Sequence, residues 1–67
     1  MMKYGQIFRL LLNSSEDEPV VLKKADLPHR LGGCDFATLN MVFSTPNNKL
    51  CGHETPDTWV LWLRGPA

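Results

Sequence analysis

Thr58-Trp59-Val60-Leu61-Trp62-Leu63-Arg64 decides the architecture. This run of β-branched, aromatic and long apolar residues, bounded by Thr55-Pro56-Asp57 before it and Gly65-Pro66 after it, reads as a strand. Alternation places Trp59, Leu61 and Leu63 on one face and Val60, Trp62 and Arg64 on the other, so both faces carry large apolar groups. A thin fold covers one such face easily and the second only by folding its helix and loops over it. Trp59 is therefore the core candidate and Trp62 the candidate for contact with another molecule.

Working back along the chain, Leu50-Cys51-Gly52 is short and weakly apolar after the turn signal Thr45-Pro46-Asn47-Asn48, which fits a hairpin arm or a loop. Residues 34–44 admit two periods. Phe36, Leu39 and Phe43 suit a helix face opened by Asp35, whereas Leu39, Met41 and Phe43 alternate as in a strand; a strand over 39–44 is expected. Residues 25–33 carry helix punctuation in Asp26, Pro28 and Gly32, predicting one or two helical turns over 27–31. Val20-Val21-Leu22-Lys23 is β-favouring. Residues 3–12, KYGQIFRLLL, read as a first strand with Tyr4, Gln6, Phe8, Leu10 and Leu12 on one parity and Ile7, Arg9 and Leu11 on the other. The loop Asn13-Ser14-Ser15-Glu16-Asp17-Glu18-Pro19 would then be the acidic tip of a hairpin. The expected fold class is α+β: a small, mainly antiparallel β-sheet with one short helix.

The 67 residues hold one domain, 1–67. Ten leucines, four valines, three phenylalanines and one isoleucine exceed the apolar content below which chains of roughly this kind stay disordered, about a fifth. Seven Lys and Arg balance seven Asp and Glu, so the positive excess that draws proteins to phosphate backbones is missing and no direct specific nucleic-acid partner is expected. The longest apolar run is Leu10-Leu11-Leu12, far short of a membrane span, and no secretory leader pattern precedes it. Two cysteines are too few for a secreted disulfide scaffold, which points to free thiols in a reducing cytoplasm.

Three constellations bear on chemistry. His29, Cys34, Cys51 and His53 are ligand types that tetrahedral zinc prefers, yet H-x4-C…C-x-H lacks the tight pairs of a zinc finger. A zinc-stabilised structural or adaptor domain is the alternative reading, beside two buried thiols and two surface histidines; the main reading needs no cofactor. The same cysteines and histidines with Asp35 or Glu54 could compose a nucleophilic site, but so small a chain has little interior for a water-excluding pocket, and no enzyme activity is expected. Gly32-Gly33 matches no phosphate-binding loop and reads as a helix stop.

The partner-binding candidates are Lys3, Tyr4, Gln6 and Phe8, a polar and aromatic mixture typical of interfaces, together with Glu16, Asp17 and Glu18, which are either a solvated loop tip or a contact for a basic surface. An edge strand here could also pair with a strand of a partner.

Across nearly its whole length, and most clearly in MMKYGQIFRLLLNSSEDEPVVLKKADLPHRLGG, the chain resembles the small transcription regulators of lytic Xanthomonas phage that bind host RNA polymerase. The resemblance carries no motif with a mechanism, so no ligand or catalytic position follows from it. It implies a monomer in the host bacterial cytoplasm that binds polymerase at the amino-terminal region of β′ near the RNA exit channel, with β as a second contact. Such a protein inhibits initiation by disfavouring σ engagement and permits terminator read-through.

Overall fold

The computed structural model describes residues 2–65, so Pro66 of the expected closing turn lies outside it. In chain order the elements are α1 (Tyr4–Leu12), β1 (Val20–Lys23), a 3-10 turn (Lys24–Asp26), α2 (His29–Gly32), α3 (Phe36–Phe43), β2 (Lys49–Glu54) and β3 (Thr58–Arg64). The strands form one antiparallel sheet in the order β1-β3-β2, so the expected α+β class with an antiparallel sheet holds. The helical share is larger than one short helix.

Two expected strands are helices. Residues 3–12 form α1 because Ile7 and Leu11, spaced i,i+4, are both fully buried, while the Gln6 carboxamide accepts a hydrogen bond from the Lys3 N–H at 2.8 Å and closes the first turn. Three consecutive leucines cannot alternate; only Leu11 points inward, with Leu10 and Leu12 exposed. The acidic residues therefore connect a helix to a strand, and the expected hairpin does not form. Residues 39–44 likewise belong to α3, opened by Asp35, whose carboxylate accepts from the Thr38 N–H and hydroxyl, each at 2.9 Å. Leu39 and Phe43 supply its buried face, whereas Met41, which suggested alternation, is 85% exposed. The helical turns expected at 27–31 lie at His29–Gly32, preceded by the 3-10 turn.

The core lies between the helices and one face of the sheet. Ile7 and Leu11 of α1, Leu31 of α2, and Leu39 and Phe43 of α3 pack with Leu22, Leu50, Trp59, Leu61 and Leu63 from the strands. Polar clasps tie the layers together at both ends of this interface. Ser14 Oγ donates to Leu11 O and accepts from Leu63 N–H at 3.1 Å, just beyond the Leu61 position where the β1 pairing begins. On the β2 edge, Leu50 N–H donates to Ser44 Oγ at 3.1 Å and Leu50 O accepts from Asn40 Nδ2 at 3.3 Å. Part of a strand edge is thus occupied by side chains of α3 and of Ser44 just beyond its end, which blocks edge-to-edge pairing there.

Asp35 has its pKa lowered from the ordinary 3.8, first by the Thr38 backbone hydrogen bond and then by the Thr38 hydroxyl. A carboxylate whose folded pKa is depressed stabilises above its unfolded pKa and loses that contribution as pH falls through the folded value. Asp35→Asn keeps an acceptor oxygen without the titration. Thermal unfolding followed from about pH 5 to about pH 2 should show a steeper fall in midpoint for the wild type than for the variant, and equal slopes would remove the cap as the cause.

Candidate functional site

The residues expected to meet a partner separate into two places. Lys3, Tyr4 and Gln6 cluster at the amino-terminal turn of α1 and are exposed, Tyr4 at 44%. Phe8 is half-buried and packs against the core, so it supports the surface more than it forms it. Glu16, Asp17 and Glu18 are exposed in the loop after α1, at the opposite end of a helix roughly 13 Å long. The continuous strand surface that would have joined these two groups is replaced by the length of a helix. No edge strand is available at residues 4–12 for pairing with a partner.

The second expected contact falls on the sheet. Trp59 is 0% exposed, against the helices, and Trp62 is half-buried on the opposite face, which carries no helix. Register assembles that face. Val60 sits between Val21 of β1 and His53 of β2; Trp62 pairs with Cys51, and Arg64 with Lys49. Val21, on the edge strand β1, is 62% exposed, while Val60 and Trp62 on the central strand are half-buried, so the apolar part of this face is in partial contact with solvent. Lys23, paired with Thr58, adds a positive charge at the far end. Glu54 belongs to the other parity, where its carboxylate lies 2.5 Å from Lys24 Nζ. The uncovered face therefore carries Lys23, Lys49 and Arg64 and no carboxylate, within a chain of zero net charge.

Sequence reasoning sorted the two tryptophans but missed the basic half of this face. Lys49 and Arg64 meet only through the β2–β3 register, and 15 positions separate them in sequence. The available signal was parity: Lys49, Cys51 and His53 alternate around Leu50 and Gly52.

His29, Cys34, Cys51 and His53 are not gathered. Among the described residues no three His, Cys, Asp or Glu side chains are grouped as metal ligands would be. Both cysteines are free thiols; Cys34 Sγ donates to Arg30 O at the end of α2, while Cys51 lies on the sheet. Among the described residues, two concavities lie near these side chains. One, about 220 Å³, lies between the Thr45–Asn48 turn, Lys49 and Arg64. The other, about 720 Å³, borders Lys24, Leu27 and His29 and contains no thiol or carboxylate in its lining. Among the described residues no helix is long and apolar enough to cross a membrane.

Comparisons with protein-family models, with curated proteins and with solved structures found no match.

Proposed function

We propose that this chain is a phage-type transcription regulator that binds bacterial RNA polymerase at the amino-terminal region of β′, beside the RNA exit channel, with β as a further contact. It acts in the host cytoplasm as a monomer, by occupancy rather than by chemistry, and needs no cofactor. The resemblance of the chain to such regulators motivates the reading. The observation that carries it is the distribution of apolar surface: Trp62 and Val60 on an uncovered sheet face and Tyr4 at an exposed helix start are contact chemistry, placed outside a core already complete without them.

The mechanism is linkage. A ligand that binds core polymerase more tightly than promoter-bound holoenzyme draws the population away from the open complex, and the same bound ligand persists into elongation, where it favours read-through. A shift from almost all productive complex to almost none requires a differential affinity of about 5 kcal/mol.

The test is recovery of β and β′ with the tagged protein from a bacterial lysate, followed by transcription with purified polymerase. Loss of promoter-dependent RNA supports the reading; absence of polymerase from the eluate with unaffected transcription removes it. Tyr4→Ala is the informative variant of the amino-terminal turn, because Gln6→Ala would also break the bond to Lys3 N–H. Tyr4→Ala is expected to weaken polymerase binding by about tenfold or more, the loss typical of an aromatic contact residue. Unchanged affinity would take α1 out of the interface.

A further inference from the structure

We infer that the uncovered sheet face docks a protein surface with an apolar centre and carboxylates at its rim: Val60 and Trp62 meet the centre, and Lys49 with Arg64 receives the carboxylates. Lys49 and Arg64 stand directly opposite each other across β2 and β3. Like charges in that arrangement repel and weaken a sheet. The ion pair found among the described residues is Lys24–Glu54, on the other parity, so neither member of the opposed pair is neutralised by those residues. The acidic loop enters β1 near this end of the sheet, and Glu16, Asp17 and Glu18 make no ion pair with either. The two cations also border the 220 Å³ cleft beside the Thr45–Asn48 turn, which gives an incoming carboxylate a place to sit between them. Lys23 closes the opposite end of the face, six residues along β3 from Arg64 by register, or roughly 20 Å.

Charge and composition select the occupant. A second copy docking through the same face would bring cations against cations. A nucleic-acid strand on a sheet stacks successive bases on several aromatic rings, and this face offers one large ring, Trp62, with the smaller His53 imidazole on the neighbouring strand. A tryptophan and an arginine around an apolar centre, with lysines at the rim, is the composition of a protein-binding hot spot. The inference rests on the reading of the chain as a polymerase ligand, and assigns the acid-rimmed surface to polymerase.

Lys49→Glu tests it without endangering the fold, because the substitution converts an opposed repulsive pair into an attractive one. Urea denaturation should therefore show a midpoint equal to or above that of the wild type. Affinity for purified polymerase should fall at least tenfold, as should that of Lys23→Glu at the far end, and wild-type affinity should decline with added salt. Wild-type binding with Lys49→Glu and Lys23→Glu unchanged would overturn this inference alone. Absence of wild-type binding would overturn the function reading and this inference together. Submicromolar binding of a fluorescein-labelled oligouridylate, lost in Lys49→Glu, would assign the face to nucleic acid and overturn the inference as well.

Discussion

Gly52→Ala is expected to unfold the domain, although the substitution adds a single methyl group. Gly52 lies in β2 opposite Leu61 and has φ of 148°, a conformation L residues avoid. A Cβ there would be driven into the Val60 carbonyl oxygen and would meet Leu61 Cα at 3.0 Å. Both obstacles belong to β3, the central strand, whose backbone is held from both sides and cannot yield. Backbone strain of this kind costs about 1–3 kcal/mol and overpacking about as much again. Against the roughly 3–5 kcal/mol that a core of this size supplies, the sum removes most or all of the stability. Circular dichroism with urea titration is the check. A variant retaining the wild-type midpoint would mean that β2 does not approach β3 as described. Gly5→Ala is the matched comparison: nothing lies within 4 Å of a Cβ there, and in the first turn of α1 alanine should stabilise by up to about 0.5–1 kcal/mol. Two glycine-to-alanine changes of opposite sign separate a structural glycine from an incidental one.

The legible and illegible parts of the sequence divide along the range of the forces involved. The strand at 58–64 is readable because Trp59, Leu61 and Leu63 alternate without exception, and they are the residues that become buried. Residues 3–12 and 39–44 carry apolar side chains at both periods, so composition could not decide between them. Tertiary packing decided: the sheet presents one face wide enough for two helices, and Ile7, Leu11, Leu39 and Phe43 fill it. Helix-start signals differ between the two segments. Asp35 reads as a helix opening, which the parity of Met41 outweighs; α1 opens with Gln6 reaching back to the Lys3 N–H, with no Ser, Thr, Asp or Asn cap in the sequence to mark its start. The pairing of β1 was beyond any local reading, because Val20 joins Leu61 across most of the chain. The same limit hid the basic face: three cations distributed over three strands form one surface only after the register is known.

Trp59→Ala should cost about 3–5 kcal/mol and leave little folded protein, because the indole is wholly buried where four elements meet. Trp59 opposes Leu22 of β1 and Glu54 of β2; the Phe36 ring at the start of α3 lies 6.3 Å away, tilted by 37°. Lys24 Nζ sits 5.3 Å from the indole centroid while paired with Glu54, so the cation closes the outer side of the ring. Trp59→Phe should behave differently. The indole N–H is buried and finds no acceptor among the described residues, a defect of about 1–3 kcal/mol that phenylalanine does not carry. The volume lost in that substitution is partly offset by the defect removed, and the net change should stay below about 1.5 kcal/mol. Urea midpoints for the two variants decide the matter: a phenylalanine variant as damaged as the alanine one would mean that the N–H has a partner after all. The pair also bears on function. Trp59 and Trp62 share β3 with opposite parity, so whatever fixes Trp59 in the core fixes the angle at which Trp62 meets solvent. Trp59→Phe should therefore leave polymerase affinity intact, whereas Lys49→Glu, on the other side of the same strand pair, should reduce affinity without loss of stability. Together the two substitutions place the support of the surface on one face of β3 and its contacts on the other.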